Sequence, residues 1–340
     1  MTRIRKSPAA LAAAVAQLAK ALPLSRLHPA VRAWAGRSRV RGPWGVALSG
    51  GADSVALLLL LWSHWPEQRG RLVALHFNHR LRGAASEADE RFCRELCRAL
   101  GVKCVTGRWR RADRGASEAE SRTARHSFFA REMERRGSRV LWLAHQQDDV
   151  AESMLMRLAR GSGAGGLAAP RPVQPAAGGR FHLRPLLTIG KAALAAALRA
   201  AGVAWREDAS NASLDHFRNR IRRTVIPRWQ QAAGRDALAG AALARERLEE
   251  DDVALEAWVD QAGLFKRPGI LDVSACQQLP RAVVRRALHR WLLAVRPQTD
   301  LSRQGFELLL AAVERGTNTR FSLGAGFALV RGGRLTFAPS

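Results

Sequence analysis

Between positions 44 and 144, apolar stretches of strand length alternate with polar or glycine-containing turns and with longer stretches of helical periodicity. Residues 44–48, 72–77, 103–108 and 140–144 read as strands and the segments between them as helices. That alternation predicts an α/β fold, a Rossmann-like parallel sheet with helices on both faces. Three polar clusters, SGGADS (49–54), HFNHRLR (76–82) and AHQQDD (144–149), each follow the carboxyl end of an expected strand. Ligands of open parallel sheets bind at that rim, so the three clusters predict one site.

Downstream the pattern changes. Residues 161–180 are rich in Gly, Ala and Pro and are expected to be a loop or a lid. The chain then reads as helical to about residue 262, with Pro227 as a break. Residues 279–295 form an amphipathic helical pattern, and 319–339 read as short strands joined by glycine turns. The expected division is a basic N-terminal extension (1–42), a catalytic α/β domain (43–212), a helical segment (213–262) and a small α+β domain (263–340). No internal repeat is visible.

Charge narrows the partner. Fifty-five Lys and Arg face 29 Asp and Glu, a net +26, and a surplus of this size favours a polyanion, nucleic acid before anionic membrane. The longest apolar run, 55–62, is too short to span a bilayer, so a soluble chain with no membrane partner is expected. No acidic residue precedes Asp53. Such a balance is also found in organelle transit peptides, but Gln17 and Lys20 interrupt the apolar core a secretory signal needs, and the segment reads as a basic extension. Four cysteines do not make a disulfide framework, which fits a reducing cytoplasm. Cys93, Cys97 and Cys104 raise metal or sulfur chemistry, against which stands a plain core stripe.

The SGGADS loop joins an expected strand to an expected helix. Its backbone N–H groups and the positive end of the helix dipole suit a phosphate. It has no Walker lysine; Ser49 and Ser54 add hydroxyls, and Asp53 is placed to ligate Mg²⁺ beside bound phosphates.

These residues resemble the pyrophosphate-loop family of ATP enzymes, and within it the chain is similar to the tRNA(Ile)-lysidine synthetases. HFNHRLR, SRTARHSFF (121–129), LAHQQDDVAESMLMRLARGSGAGGL (143–167), RPLL (184–187) and WREDASNASLDHFRNRIRRTVIP (205–227) carry the likeness beyond the loop. The family commonly has His-His where this chain has His145-Gln146, and Tyr where it has His126. The resemblance implies that ATP adenylylates the wobble cytidine of the isoleucine tRNA with a CAU anticodon, and that free L-lysine then displaces AMP.

It also implies roles for individual residues. Ser49, Gly50, Gly51, Ala52, Asp53, Ser54, His76 and Asn78 would bind ATP, with Asp53 on Mg²⁺. Asp53, Arg122, Arg125 and Asp149 would be catalytic, and Asp149 and Glu152 would grip lysine. Arg82, Arg218, Asn219, Arg220, Arg222 and Arg223 would bind the tRNA. His79 and His145 read equally as proton carriers or as polar rim residues, and a homodimer is among the expected assemblies. The rival readings are a tRNA thiolase of the same family, an amide-forming enzyme that adenylylates a small molecule, and a non-catalytic RNA-binding protein.

Overall fold

All four expected strands form. In the computed structural model, which describes residues 7–37, 40–109, 117–207, 216–295, 301–324 and 326–339, the chain divides at 246/247 into two units. The first unit opens with α1 (Pro8–Ala21) and α2 (Pro29–Arg37) and then lays down β1 (Trp44–Ala47), α3 (Ala52–His64), β2 (Leu72–Asn78), α4 (Ala84–Leu100), β3 (Lys103–Arg108), α5 (Glu118–Arg135) and β4 (Val140–Trp142). It continues through α6 (Gln147–Leu158), α7 (Ala164–Leu167), β5 (Val173–Ala176), β6 (Arg180–Leu183), α8 (Lys191–Ala200), α9 (Phe217–Arg220) and α10 (Ile226–Ala233). The six strands run in the order β3-β2-β1-β4-β6-β5, all parallel but the edge strand β5. The chain starts in the middle, builds outward to β3 and returns to the other side of β1 at β4. The loops after β1 and β4 therefore flank a topological switch point, where such sheets open a crevice.

The core explains why α3 is apolar all round. Leu57, Leu58, Leu59, Leu60 and Leu61 are all at most 1% exposed, each burial stabilising by about 2 kcal/mol. Leu11, Val15 and Leu18 of α1 are buried in the same cluster, so the expected N-terminal extension is in part core.

Two further expectations are corrected. The supposed loop at 161–180 holds α7 and β5, and β5 pairs antiparallel with β6 across a turn in which Gly178 and Gly179 both have positive φ. Pro175 is tolerated because β5 is an edge strand. Nor does Pro227 end the helical stretch: α9, one π-helical turn at Ile221–Val225 and α10 follow one another without a gap, and the missing N–H of Pro227 falls where the hydrogen-bond pattern changes from π to α.

A long helix, α11 (Ala237–Gln261), runs through the unit boundary. The second unit contains β7 (Leu271–Asp272), α12 (Val273–Cys276), α13 (Arg281–Val295), α14 (Arg303–Arg315), β8 (Thr319–Ser322), β9 (Gly326–Arg331) and β10 (Arg334–Pro339). Its antiparallel sheet, ordered β7-β10-β9-β8, shares a core with α13 and α14 through Leu288, Trp291, Leu310 and Val313. The expected α+β tail, with a meander at 319–339, is what forms.

Candidate active site

Between β1 and α3 the chain turns in four residues. Gly50 adopts φ +95°, and a Cβ there would lie 3.2 Å from Cys93 Sγ and 3.5 Å from Phe92, so glycine alone lets the loop rest on α4. Ser54 reaches back from the first turn of α3. Its Oγ accepts the N–H groups of Ser49 (3.1 Å) and Gly50 (3.2 Å) and donates to the Gly51 carbonyl (3.0 Å). Ser49 Oγ accepts from Gly51 N–H at 3.3 Å. The loop is thus braced from within, while Gly51, at the N-cap of α3, supplies no capping side chain. The first-turn amides are left for solvent or an anion.

Arg206, which the sequence reading missed, closes the loop from outside. Its N–H donates to the Gly50 carbonyl at 2.8 Å, and its Nε to Asp89 Oδ1 at 2.7 Å. The other oxygen of Asp89 accepts from Arg82 at 2.7 Å. Arg82, expected on tRNA, thus shares a buried carboxylate with the arginine that braces the loop. His76 lies under the same loop, its Nδ1–H donating to the Leu48 carbonyl at 2.9 Å while Nε2 is buried without a hydrogen-bond partner among the described residues. Burial lowers its pKa, so the ring is neutral and Nε2 is a bare acceptor. Asn78, expected at ATP, instead spends its amide on Glu90 (3.0 Å) and its oxygen on the Arg80 N–H (2.9 Å), shaping the turn after β2.

Asp53 lies in the first turn of α3 with its Oδ1 buried and without a hydrogen-bond partner among the described residues. Burial, and then the nearby Asp149 and Asp148, push its pKa up to about 6, against the opposing fields of Lys191 and Arg222. An orphaned carboxylate oxygen beside two other acids fits a divalent cation, whose charge would reverse that penalty. No cluster of three or more metal-ligating side chains occurs among the described residues, so such a cation would take its remaining ligands from phosphate and water, as Mg²⁺ commonly does.

Helix α6 begins across the switch point. Asp149 Oδ2 accepts the Gln146 N–H at 2.9 Å, and Asp148 Oδ2 accepts the Lys191 N–H at 2.9 Å, tying the starts of α6 and α8 together. Asp149 and Glu152 were expected to face an incoming lysine, and Arg218 and Arg222 the tRNA; in the free chain they face each other. Arg218 bonds Asp149 (2.5 Å) and Glu152 (2.6 Å), and Arg222 bonds Glu152 (2.5 and 3.0 Å). Glu152 is fully buried, and an acid there needs this compensation. Arg220 and Arg223 are exposed, and Asn219 is half-buried beside them. Residues 208–215 of the same motif lie outside the described residues.

Arg122 and Arg125 stand on α5, and both contribute to the positive field that, after burial and Arg184, lowers the pKa of His145 far below its usual range. His145 Nδ1 accepts from Arg184 Nε at 3.2 Å, so this nitrogen carries no proton. His79 shares a 2.8 Å hydrogen bond with Ser121.

Sulfur delivery needs an accessible, acidified thiol. Cys93 and Cys97 are fully buried, and both thiols are pushed up, Cys93 by burial and Cys97 by its hydrogen bond with Cys104 and then by burial. Cys104 is half-buried and its thiol is lowered, first by the hydrogen bond with Cys97, so the core-stripe reading fits Cys93 and Cys97.

Comparison with known proteins gives a consistent picture. A family model described as a PP-loop domain matches residues 29–229. The tRNA(Ile)-lysidine synthase of Geobacter sulfurreducens is 39% identical over 276 residues, which cover 77% of this chain and 56% of that protein. The enzyme of the same name from Pseudomonas aeruginosa is 38% identical over 268 residues, 77% of this chain and 58% of that protein. This chain therefore spans little more than half the length of those two relatives. The tRNA(Ile)-lysidine synthase of Polaromonas naphthalenivorans is 31% identical over 300 residues, covering 87% of this chain and 89% of that protein. Among solved structures, the U34-tRNA thiolase NcsA from Methanococcus maripaludis superposes with a TM-score of 0.52 over 65% of this chain and 76% of that one, at 18% identity, a likeness of fold.

Proposed function

Because the chain belongs to the PP-loop family, and within it to the tRNA(Ile)-lysidine synthases, we propose that it ligates free L-lysine to C2 of the wobble cytidine of a CAU-anticodon isoleucine tRNA. ATP is converted to AMP and pyrophosphate through an adenylylated cytidine, and the enzyme works in the cytoplasm. The observation that carries the reading is the buried, unpartnered Asp53 oxygen between a self-braced phosphate loop and the acids that open α6.

Chemically, the C2 oxygen of cytidine is a poor leaving group until it is a phosphoester, and an amine is a poor nucleophile until it loses its proton. The uncapped first-turn amides of α3, which Gly50 and Gly51 leave open to approach, and the hydroxyl of Ser49 hold the pyrophosphate end of ATP. Asp53 would hold Mg²⁺, which supplies charge neutralisation on the departing pyrophosphate. Arg122 and Arg125 pair with the α-phosphate and the activated base. Lysine reaches Asp149 and Glu152 by taking the positions that the guanidiniums of Arg218 and Arg222 hold in the free chain, which releases both arginines toward the tRNA backbone.

The test is retention of labelled lysine on a CAU-anticodon tRNA transcript incubated with protein, ATP and Mg²⁺. Label that disappears when the wobble cytidine is replaced, and that Asp53→Ala abolishes together with AMP release, is the expected result. Release of AMP that depends on tRNA but transfers no lysine would overturn the nucleophile and keep the adenylylation.

A further inference from the structure

Arg184, the first residue of the RPLL motif, has no role in the reaction described so far. It follows β6 directly and is 6% exposed. Its Nε bonds His145 at 3.2 Å and its Nη1 the carbonyl of Arg171 at 2.8 Å. Arg157, in the last turn of α6, bonds the carbonyl of Gly166. Both guanidiniums are therefore held by neutral acceptors, and among the described residues neither forms an ion pair with a carboxylate. Burial, followed by the fields of Arg122 and Arg157, lowers Arg184 to about 10; burial, Arg160 and Arg122 lower Arg157.

Three histidines lie around Arg184. His126 and His182 have ring centroids 6.5 Å apart, and His145 touches Arg184 directly. Burial first, and the neighbouring arginines second, lower the pKa of all three. They are neutral at pH 7, so they add hydrogen-bonding nitrogens without adding charge. A buried cation lacking a counter-charge is unfavourable in a free protein. Two guanidiniums held open by carbonyls and neutral imidazoles suit a planar or tetrahedral oxyanion.

Topology decides which anion. The loop at 48–51 follows β1, whereas Arg184 follows β6, and β4 lies between them in the sheet. This group therefore sits one strand beyond the switch point, displaced from the loop that takes the phosphates of ATP. We propose that Arg184 and Arg157, with neutral His145 and His126 beside them, form a pocket for a single phosphodiester of the RNA next to the modified nucleotide. This assignment rests on the reading of the chain as an RNA-modifying enzyme.

The experiment measures binding of the full chain to a fluorescent CAU anticodon stem-loop whose loop phosphates are replaced one at a time by neutral methylphosphonate. Wild-type protein is expected to lose about tenfold in affinity at one linkage, with the salt dependence of log K falling by about one unit. R157Q should bind the all-phosphate RNA about tenfold more weakly and be indifferent to that linkage, while its ATP affinity is unchanged. R184K, which keeps the charge but loses the fork, should behave in the same way; because Arg184 is buried, the half-buried Arg157 carries the test should that variant fold poorly. Weaker ATP binding in R157Q with RNA binding intact would assign the pocket to ATP and overturn the proposal. Equal sensitivity of wild type and R157Q at every linkage would overturn it as well. Failure of the wild type to bind the stem-loop at all would instead remove the reading beneath it, a result visible before any variant is made.

Discussion

The two ends of α6 hold arginines in opposite states. At the first turns, Arg218 and Arg222 are tied to Asp149 and Glu152; at the last turn, among the described residues, Arg157 bonds a carbonyl and no acid, within the field of an Arg184 that bonds a carbonyl and a neutral imidazole. About 7.5 Å of helix separates Glu152 from Arg157. The helix dipole favours acids at its start and a cation at its end, which explains where each sign sits but not why only one end is compensated. The compensated end is complete in the free chain, and a ligand must exchange with a guanidinium to enter. The other end is complete only when an anion arrives.

The largest effect is expected from breaking the compensated end. Glu152→Gln takes a buried acid away from both Arg218 and Arg222, so chemical denaturation should show a loss of about 3 kcal/mol, the lower end of the range for opening a buried ion pair. The same variant should raise the lysine requirement far more than the ATP requirement. Equal effects on both substrates would sink the exchange of lysine for guanidinium.

Asp53 is the anionic counterpart of the uncompensated arginines, and its pH dependence sharpens the contrast. Its folded pKa, about 6, lies above the usual 3.8, so ionisation opposes folding. The stability it contributes is fully present below the unfolded value and is lost as pH rises through 6. Asp53→Asn removes the titration and should be more stable than wild type by up to about 3 kcal/mol at pH 8. The difference should vanish as pH falls from 6 to 4, and a gap independent of pH would mean that Asp53 is not held in this way.

Much of this was legible in the sequence, for physical reasons that differ by element. Three of the four expected strands, β1, β2 and β4, show as short apolar runs because both faces of the sheet are covered there, whereas β3 lies at the edge and is only half-buried; SGGADS shows because a strand-to-helix turn this tight demands its glycines. The β5–β6 hairpin was hidden because its edge strand carries Pro175 and lies among glycines and alanines that favour a loop reading. The spacing of Leu11, Val15 and Leu18 was visible, but the basic residues around them drew attention to charge rather than burial. At the site, the acids of α6 were found, while their pairing with arginines 66 to 70 residues away is a tertiary fact that no local pattern carries. Arg184 was hidden for a related reason: an arginine before proline reads as surface, and only the fold buries it.

The smallest effect tests the uncompensated end without changing a residue. His126 has a pKa of about 4, lowered by burial and then by Arg122 and Arg125, with His182 and Arg184 adding to it. Its folded value lies below the usual 6.5, so the stability it contributes is present above 6.5 and is lost as pH falls through 4. An oxyanion seated among the arginines would offset part of their field and make protonation easier. Imidazole titration by NMR in added sulfate should move His126 upward by on the order of half a unit. His28 provides the internal reference: it is also lowered to about 4, but by burial, Arg245 and Arg32, and it lies 3.4 Å from Glu246, so its cations already have an acid at hand. Sulfate should leave His28 nearly still while His126 moves. Equal movement of both would report ionic strength alone, and the contrast between the two ends of α6 would then have to be explained without an anion.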